Sequence, residues 1–194
     1  IGVLPLHKSM RIRPHHIAIL PKGNTTWNNG KYAPKELYSK VFSHAKDLLV
    51  WQIEENIPIV TINLVSHHFE QKPEFSEILI AMREFFDDLN GFEPIFKNKV
   101  KISVFGKWYD LPTRVADNVK SVIDDTRDYD HFFFNICVNY SGTQELVDAA
   151  KIVALRVLNG KSTMNTITHD TIKDTIYSSS FLPPDLLIKT GPKK

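Results

Sequence analysis

Cysteine is almost missing from this chain of 194 residues, where Cys137 stands alone. One thiol cannot close an intrachain disulfide, so a reducing compartment, the cytoplasm, is the expected location. No apolar run approaches the roughly 20 residues that cross a bilayer, and no secretory signal pattern is visible. Excess charge is lacking too. Lys and Arg number 24 against 22 Asp and Glu, a formal charge of +2, so no basic field on the scale of a nucleic-acid binder is present. The sequence has no C-x-x-C and no H-x-x-x-H. The adjacent His67 and His68 point to opposite sides of an extended chain, so no metal site is expected from them. The glycine patterns G-x-G-x-x-G and G-x-x-x-x-G-K-[ST] are absent, which disfavours a dinucleotide or P-loop site. What remains, 42% hydrophobic and 24% charged residues, is ordinary for one soluble domain with a full core.

The residues that are present alternate between two periodicities. HHIAILP (15–21), IPIVTINLVS (57–66), VKISVFG (100–106), FFFNICVNY (132–140) and DLLIKTG (185–191) read as strands. Between the first two, Pro34 suits a helix's first turn, and Leu37, Val41, Ala45, Leu48, Leu49 and Ile53 mark one face of that helix. Pro73 opens a second helical stretch carrying Ile78, Leu79, Met82, Phe85, Phe86 and Leu89. Further helices are predicted from Leu111 to Thr126, over 143–160 with Gly160 as its stop, and over 168–178. Strands alternating with helices predict an α/β fold: one domain, with a mostly parallel central sheet flanked by helices.

In such sheets ligands collect outside the carboxyl ends of the strands. Those ends here deliver Lys22, Gly23 and Asn24; Ser66, His67 and His68, with Lys72 just after; Gly106 and Lys107; Asn139, Tyr140 and Gly142; and Lys189, Thr190 and Gly191. Lysines, glycines and hydroxyl residues dominate, and carboxylates are missing. Ammonium groups and exposed backbone N–H groups suit an anion, phosphate above all. Ordinary turn chemistry also places Gly, Asn and Lys at strand ends, and composition alone leaves both readings open. Cys137 lies within an apolar strand and reads as a core thiol.

Four segments in order resemble the cis-prenyltransferase family, of the undecaprenyl diphosphate synthase type. HIAILPKGNTTWN (16–28) stands where that family has H-I-A-I-I-M-D-G-N-x-R-W-A. VSHHFEQKP (65–73) replaces F-S-x-E-N-W-x-R-P. NICVNYSGTQELVDA (135–149) follows N-x-x-x-N-Y-G-G-R-x-E-[IL]-x-x-A, and DLLIKTGPK (185–193) follows D-L-x-I-R-T-G-G-E. The resemblance implies a transferase that condenses isoprenoid diphosphates. It implies Gly23, Asn24, Thr25, Thr26, Trp27, Lys35, Lys72 and Lys189 around a substrate diphosphate. It places Asn24, Ser66 and Lys22 at the catalytic positions. A homodimer, and association with a membrane surface through a lipid product, are implied as well.

The departures concentrate where chemistry would occur. The family's Mg²⁺-binding aspartate is replaced by Lys22, so the implied Mg²⁺ loses its carboxylate and no metal ligand is assigned. The loop's arginine becomes Thr25 or Thr26, a second becomes Thr143, and Glu-Asn-Trp becomes His68-Phe69-Glu70. Lys194 precedes the expected R-x-S-N segment, so a C-terminal segment is expected to be lacking or not shown. Two functions follow from the resemblance: an altered transferase, including an irregular coupling of allylic units, or a non-catalytic subunit of a heteromeric complex.

Overall fold

A computed structural model describes residues 13–67 and 69–191, without the side chains of Thr25 and Thr26. The expected positions His68, Thr25 and Thr26 therefore lie outside the described residues or side chains. Five strands, β1 (His16–Leu20), β2 (Ile59–Ser66), β3 (Val100–Phe105), β4 (Phe132–Tyr140) and β5 (Leu186–Lys189), form one sheet in the order β3-β4-β2-β1-β5. Every pairing is parallel. All five carboxyl ends therefore open on the same side of the molecule. The helices are α1 (Asn24–Asn28), α2 (Pro34–Glu54), α3 (Phe75–Leu89), α4 (Glu93–Lys97), α5 (Thr113–Thr126), α6 (Gly142–Leu158) and α7 (His169–Lys173).

Alternation along the strands decides which face carries the core. Val60, Ile62 and Leu64 of β2, Phe134, Ile136 and Val138 of β4, and Val100, Ile102 and Val104 of β3 all enter one buried cluster. Helices α2, α3 and α5 pack against one another over that face. Phe42 of α2 stacks on Phe85 of α3 with ring centroids 5.2 Å apart, and Phe85 meets Phe86 edge-on at 5.1 Å. The intervening strand positions carry polar groups, Thr61 and Asn135 among them, joined from Asn135 Nδ2 to Thr61 Oγ1 at 3.1 Å.

Two expectations about the helices need correction. The buried stripe of α2 is Leu37, Tyr38, Phe42, Ala45, Leu49 and Gln52. Val41, Leu48 and Ile53 are only partly buried beside it. Gln52 is buried because its Nε2 donates to the carbonyls of Ile57 (3.0 Å), Pro58 (3.2 Å) and Phe133 (3.1 Å). The predicted helix over 168–178 shrinks to the five residues of α7. Thr168 starts it with a capping box to Thr171, but Asp174 N–H already closes the last turn and only turns follow. The short α4, whose first turn holds Pro94, has no counterpart in the sequence reading.

Gln52→Leu keeps the volume and deletes all three bonds, although Pro58 O keeps the Phe133 N–H as a donor at 2.9 Å. A loss of about 1–3 kcal/mol is expected, read as a lower urea midpoint at unchanged m-value.

Candidate functional site

The chain leaves β1 through Pro21 and Lys22 and turns at Gly23, whose φ of +88° lies in the left-handed region. It enters α1 at Asn24, and Gly23 O accepts from Trp27 N–H at 2.7 Å. The N–H groups of a helix's first turn have no partner within the helix, so those of the Gly23–Thr26 segment are not used by α1 itself. The side chain of Asn28 closes the far end. Its Oδ1 accepts from Tyr32 N–H at 2.8 Å and its Nδ2 donates to Tyr32 O at 2.9 Å.

Strand β5 holds the near end of this loop. Thr190 N–H donates to Leu20 O at 3.2 Å. Thr190 Oγ1 accepts from Lys22 N–H at 3.0 Å and donates to Lys22 O at 3.2 Å. Gly191 follows at φ +96°, and a Cβ there would sit 2.6 Å from Lys22 O, so only glycine permits this approach. The backbone of Lys22 is fixed by hydrogen bonds to a strand 168 residues away in sequence.

A cavity of about 340 Å³ opens beside the loop. Lys22, Gly23, Asn24, Ser66 and Lys72 stand on its wall, with Tyr38 and Asn63, over apolar surface from Leu64, Val65, Phe69 and Ile78. Lys22, Ser66 and Lys72 are exposed at the rim, whereas Phe69 and Ile78 are fully buried. Lys72 Nζ reaches the Tyr38 hydroxyl at 3.4 Å. Among the described residues no carboxylate lines the cavity. A cationic rim over an apolar floor suits a molecule with an anionic head and a hydrocarbon tail.

Three of the expected diphosphate residues lie off this wall. Trp27 is 62% exposed and stacks on Tyr32 with centroids 5.8 Å apart. Lys35 pairs with Glu84 of α3 at 3.2 Å. Lys189 ends β5 on an exposed strand. The sequence reading did not single out Tyr38, Asn63 or Phe69 as cavity lining, and it could not tell Ile78 as lining from Ile78 as core. Tyr38 and Phe69 are buried in the core and also line the cavity, because α2 and the segment after β2 pack beside the loop.

Other strand-end residues have structural work. Asn139, at φ +50°, donates from Nδ2 to Lys107 O at 3.3 Å, and its Oδ1 contacts His67 Nδ1 at 2.9 Å. It straps the ends of β2, β3 and β4 together. Tyr140 OH donates to the buried Glu145 at 2.8 Å; burial and this bond raise the phenol's pKa. Burial, with Glu145 nearby, pushes the Cys137 thiol up to about 12, so it stays protonated. Asp148 is pulled the other way. Burial would raise its pKa, but hydrogen bonds from Tyr177 (2.5 Å) and Gln144 (2.9 Å), with Lys107 and Lys151 beside it, lower it below the ordinary 3.8.

A depressed carboxylate stabilises the fold above pH 3.8, and the contribution is lost as pH falls through the lowered value. Tyr177→Phe is therefore expected to cost on the order of 1 kcal/mol near pH 7. Urea unfolding repeated on the acid side, below the ordinary carboxylate range, should show the two proteins converging.

A family model for undecaprenyl diphosphate synthases matches residues 20–194. The chain is 33% identical over 180 residues to an isoprenyl transferase of Prochlorococcus marinus, covering 92% of this chain and 67% of that protein. It is 28% identical over 181 residues to the tritrans,polycis-undecaprenyl-diphosphate synthase (geranylgeranyl-diphosphate specific) of Picrophilus torridus, covering 92% and 71%. In fold it is similar to lavandulyl diphosphate synthase from Lavandula x intermedia, solved with dimethylallyl diphosphate. There the TM-score is 0.85 at 21% identity, over 93% of this chain and 79% of that one.

Proposed function

Since the chain belongs to the undecaprenyl diphosphate synthase family of prenyltransferases, we propose that its strand-end cavity holds the allylic diphosphate substrate of prenyl transfer. The chain is a transferase of prenyl groups acting on isoprenoid diphosphates. The observation that carries the reading is the division of one cavity into a rim bearing Lys22, Asn24, Ser66 and Lys72 and an apolar floor of Leu64, Val65, Phe69 and Ile78. The diphosphate lies at the rim, against the N–H groups of Gly23 to Thr26, and the prenyl tail lies on the floor. The C1–O bond breaks with its electron pair going to the diphosphate. The double bond of a second isoprenoid diphosphate forms the new bond to C1, and a proton then leaves the product. Asn24 and Ser66 orient the diphosphate oxygens as donors, and the ammonium groups offset its charge. The rim binds through lysines in place of forked guanidinium groups, so binding depends strongly on salt.

The family is generally Mg²⁺-dependent. The residues here do not fit that ion, because Lys22 holds the loop's first position and the cavity wall carries no Asp or Glu.

Assembly is the second part of the reading. Helix α6 exposes Leu146, Val147, Ile152, Leu155 and Leu158, and β5 exposes Leu186, Leu187 and Ile188. This apolar surface suits a homodimer formed through the second half of the chain. A different partner chain on the same surface, with this chain as its non-catalytic subunit, is the alternative that the missing carboxylate favours. Among the described residues no helix is long and apolar enough to cross a membrane. The reading places a single cytoplasmic domain that meets membranes through its lipid product.

Incubation with labelled allylic diphosphates of graded tail length, with and without isopentenyl diphosphate, is expected to yield a longer isoprenoid diphosphate on chromatography. Products formed without isopentenyl diphosphate identify irregular coupling. No product from any substrate, together with capture of a related active chain, establishes the subunit reading. For the dimer, light scattering should report twice the monomer mass, and Leu155→Glu with Leu158→Glu should halve it while leaving the circular dichroism spectrum unchanged.

A further inference from the structure

Mg²⁺ demands close to octahedral oxygen coordination and is usually held by one or two carboxylates together with substrate phosphates. The cavity wall cannot supply that set. Its polar side chains are Lys22, Asn24, Tyr38, Asn63, Ser66 and Lys72. Among the described residues no group of three or more His, Cys, Asp and Glu is placed to hold a metal ion. A protonated lysine has no lone pair to give a metal, and its charge repels one.

The same wall is well arranged for a bare anion. Lys22 lines the cavity from the loop after β1 and Lys72 from the segment between β2 and α3, so two lysines reach it from different elements. Neither forms an ion pair with a described carboxylate, whereas Lys35, Lys46 and Lys107 all do. Together they bring the same formal charge as one divalent cation, with up to three hydrogen-bond donors each. Lys22 is also unusually well placed for an exposed lysine. Both of its backbone polar groups bond to Thr190 Oγ1, and the chain of Gly191 packs against its carbonyl. The side chain thus starts from a fixed point at the cavity's edge.

We propose that this cavity binds a diphosphate group without a metal ion, with Lys22 and Lys72 as its counter-charges and Thr190 as the positioning residue for Lys22. The proposal rests on the reading of the cavity as the diphosphate site and deepens it. Two ammonium groups neutralise the bound group, but each is a monovalent donor that can be removed by a single substitution. The site is therefore expected to ignore chelators and to respond to ionic strength.

The test is calorimetric titration of the full chain with inorganic pyrophosphate, once in EDTA and once in excess Mg²⁺. Binding in EDTA at least as tight as in Mg²⁺ is expected. Lys22→Ala and Lys72→Ala should each weaken binding in EDTA by about tenfold, the lower end for a charged hydrogen bond at an exposed rim. Lys22→Arg should retain most of the affinity. Thr190→Val should weaken binding and Thr190→Ser should restore it, a rescue that tracks the hydroxyl and not the fold. Lys22→Asp should make binding depend on Mg²⁺. Thermal melts of each variant confirm that it is folded. Wild-type binding that disappears in EDTA overturns the metal-free site while leaving the cavity as the diphosphate site. Unchanged affinity in both Lys22→Ala and Lys72→Ala overturns the counter-charges. Equal affinity in Thr190→Val and wild type overturns the positioning role. Absence of pyrophosphate binding in either buffer overturns the reading of the cavity itself.

Discussion

The pairing of the first strand with the last is the constraint on which the site depends. β1 runs parallel to β5 from Ile17 opposite Leu186 to Leu20 opposite Lys189. Side chains fasten both ends of this short ladder. At its start, Asp185 Oδ2 accepts from the N–H groups of His15 (2.7 Å) and His16 (3.0 Å), and those two donors hold its pKa below the usual carboxylate range. At its finish, the Thr190 hydroxyl takes both backbone groups of Lys22. A further tie comes from His16, buried on the sheet's polar face, whose Nδ1 lies 2.6 Å from Leu182 O. A carbonyl can only accept, so Nδ1 carries the hydrogen. In the neutral ring Nε2 is then left to accept from the Thr61 hydroxyl at 2.8 Å.

Much of this architecture was legible in the sequence because strands buried on the core face are written as apolar runs ended by turn residues. The five strands and the long helices follow from that pattern, as does the concentration of Lys, Gly and hydroxyl residues at one side of the sheet. The face of α2 was harder. Counting only aliphatic residues found Leu37, Ala45 and Leu49 but added Val41, Leu48 and Ile53, where the buried stripe has Tyr38, Phe42 and Gln52. A glutamine joins such a stripe only when three-dimensional neighbours accept from its Nε2, and those carbonyls come from the turn before β2 and from β4.

The site was legible as chemistry more than as geometry. Lys22, Gly23, Asn24, Ser66 and Lys72 share one cavity because parallel neighbouring strands deliver their carboxyl ends to the same side of the sheet. Lys35 has an alternative partner in Glu84, 3.2 Å away on a neighbouring helix, and no local pattern announces such a pairing. Asn139 looked like a ligand for the same reason that it is a strap. A side chain able to donate and accept at once serves equally to hold a phosphate or to tie loops.

The clamp on Lys22 also bears on how the molecule comes into being. The loop proposed to meet the diphosphate is made early in synthesis, but its anchor, Thr190, lies 168 residues further along the chain. Contacts of such separation carry the largest loop-closure entropy and form late in folding. A nascent chain can therefore build the α2–α3 core while Lys22 is still unanchored. The loop edge around Lys22 acquires its final shape only once β5 has docked, so the proposed site is completed after the core and not with it.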